Sequence, residues 1–133
     1  MKILFLGDIV GNSGCSKVMS NLLSQIQINK IDFVIVNAEN ADESGVGLTK
    51  EICQDFFNCG VNVITTGNHV WDQKNIMNFI DKENRLLRPK NLFEPSPGKG
   101  FEVYTTEENI KIGVLNLMGN VFMKKCDDVF EIS

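Results

Sequence analysis

No apolar stretch in these 133 residues approaches the roughly 18 that a helix needs to cross a bilayer, so no membrane partner is expected. The run Ile3-Leu4-Phe5-Leu6 stops at Gly7-Asp8, shorter than the apolar region of a secretory signal. Cys15, Cys53, Cys59 and Cys126 show no Cys-x-x-Cys spacing. They read as buried thiols of a reducing compartment rather than as a disulfide pair or a zinc site, and a cytoplasmic chain is expected. Positive charge is scarce: 13 Lys+Arg against 17 Asp+Glu give −4 at pH 7. Proteins that grip nucleic acid through its backbone rely on Lys and Arg to displace counterions, so no bulk nucleic-acid groove is expected. A single phosphate can still be held locally, by a metal for instance. Internal repeats and low-complexity segments are also missing. What remains is ordinary globular composition, 43% hydrophobic and 23% charged, in the size range of one domain or part of one.

The apolar residues change period along the chain. Residues 2–6 form a short run that reads as a buried strand. Over 15–27, Val18, Met19, Leu22, Leu23 and Ile26 share one helical face. Phe33-Val34-Ile35-Val36 is too short for a helix and reads as a second strand. A helix over about 50–59 follows, with Thr49 as its N-cap and Gly60 as its left-handed stop. Val61, Val63 and Ile64 give a third strand. Asp72 is the expected cap of the next helix, with Trp71 and Ile76 as a hydrophobic staple. This βαβαβα order predicts right-handed crossovers on a mostly parallel sheet. After residue 85, Arg88-Pro89 and Pro95-Ser96-Pro97-Gly98 mark an irregular loop. Residues 100–104 and 110–116 then read as a hairpin turning across Glu107-Glu108-Asn109. Periodicity is weak over 117–133.

Each of the first three strands runs into a loop of small residues that carries acid, amide or imidazole side chains: Gly7-Asp8, Asn37-Ala38-Glu39-Asn40-Ala41 and Gly67-Asn68-His69. Ligands of open α/β sheets bind beyond the carboxyl ends of the strands, so these loops are expected to share a crevice. Taken singly, Asp8, Asn40 and Asn68 are ordinary turn residues, and His69, the only histidine, is an ordinary surface or packing residue. Glu39 directly follows a buried run and has to be solvated, paired or metal-bound. Five such residues at the same ends of three adjacent strands point to one site. Carboxylate and amide oxygens beside one imidazole suit Mn²⁺, Fe²⁺ or Mg²⁺. A carboxylate such as Glu39 can bridge two ions about 3.5–4 Å apart, which clamp the oxygens of a phosphoryl displacement. A bridging hydroxide then serves as nucleophile, since neither Asn68 nor Val70 beside His69 offers a hydroxyl or thiol, and His69 protonates the leaving oxygen or stabilises it. Gly7, Gly11 and Gly14 offer the rival reading of a nucleotide cradle. Their spacing matches neither phosphate-binding glycine motif and fits a tight strand-to-helix turn.

The three loops resemble those of the calcineurin-like metallophosphoesterases, with Gly67-Asn68-His69 the most recognisable piece. Residues 2–11, Gly47-Leu48-Thr49, Gly67 to Asp72, Arg88-Pro89 and Pro97 to Gly100 resemble the YmdB-like branch of that group, over nearly the whole chain. The resemblance implies a 2′,3′-cyclic-nucleotide phosphodiesterase with a dinuclear centre of Fe²⁺ or Mn²⁺, or alternatively Mg²⁺. It implies Asp8, Glu39, Asn40 and Asn68 as metal ligands, Glu39 bridging, and His69 as proton donor. It implies an αββα sandwich of which this α/β chain, as a partial domain over residues 1–133, supplies the N-terminal half. Members of that branch bring further histidine ligands from later loops, and this chain has one histidine. Four ligands cannot fill two ions that each take roughly five or six donors, so weak metal affinity and low activity alone are expected. The expected partners are a small phosphodiester, a chain supplying the missing half and a second copy of this chain. A non-catalytic α/β remnant kept for association is the reading from another class.

Overall fold

The computed structural model describes residues 1–92, 95–123 and 126–132. Its elements are β1 (Ile3–Leu6), α1 (Gly11–Asn29), β2 (Phe33–Asn37), α2 (Lys50–Asn58), β3 (Val63–Thr65), a 3₁₀ turn (Lys74–Ile76) leading into α3 (Met77–Ile80), β4 (Leu86–Leu87), β5 (Phe101–Thr105), β6 (Lys111–Leu115) and α4 (Val129–Ile132). Successive side chains of a strand point to opposite faces, and here both faces are apolar. Val34, Val36, Ile64 and Leu86 pack against the helices. Phe33, Ile35, Val63 and Leu87 pack against Ile112 and Val114 of β6, with Tyr104 of β5 at the margin.

The first four strands are parallel in the order β1-β2-β3-β4, with Leu4 opposite Val34, Ile35 opposite Val63 and Ile64 opposite Leu86. Each strand pairs with its predecessor, so right-handed crossovers put the connecting helices on one face. The antiparallel pair β5-β6 lies under the other face. The chain is therefore α/β, with helices, a four-stranded parallel sheet and a two-stranded antiparallel sheet in successive layers. Among the described residues, no helix is long and apolar enough to cross a membrane.

Local chemistry explains the element ends. Thr49 accepts from the Ile52 N–H at 3.3 Å to cap α2, and Gly60 at φ 97° follows its last turn, both as expected. The hairpin turns where expected, with Asn109 at φ 61° and the Thr106 N–H donating to Ile110 O. Helix α1 begins at Gly11 rather than near 15. Two glycines make a poor first turn, but the Gly11 N–H is held by Asn40 O at 2.9 Å, a tertiary contact that overrides propensity. Asp72 caps no helix: Gln73 precedes the 3₁₀ turn and makes no side-chain cap. Strand β4, only two residues long, goes beyond the expected elements. All four cysteines are free, but only Cys15 and Cys53 are buried; Cys59 and Cys126 are half-exposed.

The motif residue Arg88 has a structural role. It is buried, and its guanidinium donates to the carbonyls of Pro89, Lys90, Ser96 and Pro97. It thereby ties the irregular loop to the end of β4. At Gly100, which follows this loop, a Cβ would strike the Lys90 backbone. The outermost strand, β1, has an open edge. Ile3 and Phe5 are exposed on its lower side, over a groove of about 580 Å³ that continues to Ile112 and Val114. A second cavity of about 630 Å³ lies between β1 and α1, lined by Leu4, Leu6, Val18 and Leu22. Phe101, Val103 and Leu115 are exposed on the outer face of the hairpin.

Replacing Arg88 by Leu strands several carbonyls, each worth about 1–3 kcal/mol when buried without a donor. The expected outcome is a loss of at least about 3 kcal/mol in urea unfolding. Arg88→Lys should recover little of it, because an ammonium lacks the five-donor fork.

Candidate active site

Three strand-end loops are laced to one another by backbone hydrogen bonds. The Ile9 N–H donates to Asn37 O at 3.0 Å and the Gly11 N–H to Asn40 O at 2.9 Å, joining the first loop to the second. The Ala38 N–H donates to Thr65 O at 3.0 Å, joining the second to the third strand. Thr66 follows β3, and both its N–H and its hydroxyl donate to Leu87 O. This anchors the turn that carries Gly67, Asn68 and His69. Ala38 and Ala41 are fully buried, so the backbone between them passes close under the helices while Glu39 and Asn40 remain partly accessible.

The expected side chains come together in part: Asn40 meets Asp8, and Glu39 and Asn68 line one cavity, while His69 follows on the same loop. Asn40 Nδ2 donates to Asp8 Oδ1 at 2.7 Å. Asp8 itself sits at φ 46°, a left-handed conformation uncommon outside glycine, at the turn that brings its carboxylate back to the crevice. Glu39 lies directly over Gly67: a Cβ at that position would fall inside its carboxylate. Burial pushes the Glu39 carboxyl above the ordinary range. The backbone N–H groups of His69 and Asn68 and the charge of His69 oppose that rise, whereas Asp8 adds to it. The glutamate thus responds to both the Asp8 loop and the Asn68–His69 loop.

Two acceptors are left over. Glu39 Oε2 and Asn37 Oδ1 are both buried and have no hydrogen-bond partner. Such atoms are costly without a donor or a cation, and both line the same cavity next to Asn68. Among the described residues, no group of three or more His, Cys, Asp and Glu comes together as a metal cluster. The donor set is instead carboxylate oxygens of Asp8 and Glu39 with amide oxygens of Asn37, Asn40 and Asn68. That set is hard, oxygen-rich and low in charge, and it fits a divalent cation of the Mg²⁺ or Mn²⁺ kind.

His69 is backed by an acid. Its Nδ1 lies 2.6 Å from Asp72 Oδ2, and the Asp72 N–H donates to His69 O at 3.1 Å. An ionised carboxylate only accepts, so Nδ1 carries the proton of this bond and Nε2 is directed away from it. Asp72, expected as a helix cap, is the partner that orients the histidine. Sequence reasoning also missed two asparagines. Asn37 supplies one of the orphaned acceptors. Asn116, buried at the end of β6, donates to Thr66 O at 2.8 Å and Leu87 O at 3.0 Å and fixes the turn from below. Their common signal is an asparagine at the exit of an apolar strand.

Other nucleophiles are poorly placed. Cys15 Sγ contacts Ala41 O, but burial pushes its thiol pKa up and away from the reactive thiolate. The glycines after β1 serve the turn: a Cβ on Gly14 would come within 3.2 Å of the Ile9 side chain.

Residues 4–133 match the family described as YmdB-like protein. The chain is 41% identical over 130 residues to a 2′,3′-cyclic-nucleotide 2′-phosphodiesterase of Bacillus subtilis, covering 98% of this chain and 48% of that protein. It is 36% identical over 123 residues to a putative phosphatase/phosphodiesterase of Mycoplasma pneumoniae, covering 90% of this chain and 43% of the relative. Among solved structures, a hypothetical protein from Thermus thermophilus superposes with a TM-score of 0.91 at 32% identity, over 99% of this chain and 50% of that one. A novel phosphatase from Mycoplasma pneumoniae superposes at 0.89 and 33% identity, over 99% and 48%. The chain spans about half the length of the curated relatives it matches.

The seat of Glu39 on Gly67 can be tested without any ligand. Gly67→Ala should cost about 1–3 kcal/mol in urea unfolding, as overpacked interiors do. Adding Glu39→Ala to Gly67→Ala should recover most of that loss. Additive costs in the double variant would show that the two residues do not meet.

Proposed function

The chain belongs to the family of YmdB-like proteins, and on that premise we propose that its crevice hydrolyses phosphodiesters, 2′,3′-cyclic nucleotides foremost, as one half of a larger metallophosphoesterase domain. The observation that carries this reading is the pair of orphaned buried acceptors, Glu39 Oε2 and Asn37 Oδ1, beside an imidazole held by an acid. Asp8, Glu39, Asn40 and Asn68 would hold two divalent ions, Mn²⁺ or Fe²⁺ or alternatively Mg²⁺, with Asn37 as a further donor. When bound, such ions supply positive charge to the phosphoryl oxygens and acidify water.

The chain's own residues then have distinct tasks. Glu39, partly withdrawn from water by its seat on Gly67 and with Oε2 left without a donor, would be a ligand of such an ion. The Asn40 amide pins the Asp8 carboxylate and fixes the direction of its lone pairs. Asp72 fixes the His69 ring, so that a doubly protonated imidazole presents the Nε2 proton to the leaving oxygen.

We propose a polypeptide equivalent to the relatives' second half as partner, on the same chain or a separate one. The open edge of β1, with an apolar cavity above it and exposed Ile3 and Phe5 below, supports this reading. A second reading, association with another copy and no catalysis, is favoured by the exposed Ile3, Phe5, Phe101 and Val103. We keep the cytoplasm as the proposed compartment, which the four free thiols support.

Titration calorimetry with Mn²⁺ separates the two readings. Catalysis predicts binding that Glu39→Gln weakens tenfold or more, about 1.4 kcal/mol. With the second half supplied, turnover of bis(4-nitrophenyl) phosphate should fall by about 10²–10⁴ in His69→Ala. Asp72→Asn should lower kcat by less and leave Mn²⁺ binding unchanged. Turnover indifferent to His69→Ala would overturn the assignment, and absent Mn²⁺ binding together with a stable dimer would favour association.

A further inference from the structure

The cavity of about 300 Å³ beside Glu39 has two chemically different walls. One is polar, formed by Asn37, Glu39 and Asn68. The other belongs to the segment that follows β6 and presents Leu117, Val121 and Met123. The root of this second wall is fixed by one buried side chain. Asn91 accepts from the Met118 N–H at 2.9 Å and donates to Met118 O at 2.7 Å, so a single amide holds both backbone groups of that residue. Asn91 Nδ2 also reaches Asp127 O at 3.0 Å, and the Lys90 N–H holds Asn116 O at 2.8 Å.

Beyond that root the chain spends apolar side chains on solvent. Val121 is 75% exposed, Met123 is also exposed, and Phe122 between them is fully exposed at φ 60°. A bulky aromatic residue in the left-handed region is a genuine outlier, and such strain gathers at ligand-binding segments. Three consecutive exposed apolar residues at the mouth of a polar crevice are likewise unexpected unless something covers them.

We propose that Val121 and Met123 form the apolar half of the substrate site, taking the nucleoside portion of a phosphoester whose phosphate lies at Glu39 and Asn68. This rests on the metal-dependent reading above. The cavity is at the lower end of the range for small-molecule sites, the size of a compact ligand. Its apolar wall suits the face of a planar base, with the Met123 thioether able to rest against an aromatic ring. Polar and apolar walls facing each other across one cavity match a ligand that is charged at one end and planar at the other.

The test compares three probes on the chain. In the presence of Mn²⁺, adenosine 5′-monophosphate should bind at least tenfold more tightly than inorganic phosphate. The Val121→Ser/Met123→Ser variant should bring the nucleotide to the level of phosphate and leave phosphate affinity unchanged. Both positions are exposed, so folding is retained. Without metal, adenosine at millimolar concentration should shift the NMR methyl signals of Val121 and Met123. Equal binding of nucleotide and phosphate, or no adenosine shift, would overturn this proposal while leaving the metal site intact. Adenosine shifts without any phosphate binding in Mn²⁺ would instead overturn the metal-dependent reading and leave the apolar seat standing.

Discussion

Glu39 is the constraint on which the crevice depends. Taking a carboxylate partly out of water is unfavourable unless something answers its charge. The backbone N–H groups of Asn68 and His69 answer part of it, and they reach the carboxylate because residue 67 has no side chain. One oxygen is still left without a donor. Gly67 is therefore chosen less for its turn than for the space it leaves, and the position of the third loop follows from the needs of the second.

That dependence runs back to the sheet. Each of the three loops begins where an apolar run ends, and the register of those strands fixes how far each loop projects. Asn37 pairs with Thr65 at the last rung, so Glu39 and Gly67 leave the sheet side by side. A slip in that register would turn the side chains of a strand to the opposite face, which both cores forbid.

The early strands were legible because they are continuous apolar runs, and α2 because Thr49 and Gly60 are local signals. The start of α1 was not, because Gly11 is held by a carbonyl far along the chain and Val10 offers no cap. Asp72 misled for an instructive reason. An aspartate before an apolar run has the same chemistry whether it caps a helix or holds a histidine, and only the fold decides. The five crevice residues could be named from strand exits alone. Asn37 and Asn116 also stand at strand exits, but what marks them out is a buried orphaned oxygen in one and a buried pair of donations in the other, which the sequence does not carry directly.

The strand order has a consequence for synthesis. Because β2, β3 and β4 each pair with the strand made just before, every new unit leaves the ribosome with its template already assembled, and few long loops have to close. The loops of Asp8 and Glu39 precede β5 and β6 in the chain, whereas the histidine turn waits for Asn116 at the end of β6. The hairpin also covers the lower face, and until it does Phe33, Ile35 and Val63 stand open to water on a nascent chain. At these positions the lower face is buried only by residues more than 40 positions downstream, so its shielding is the last long-range closure of the fold.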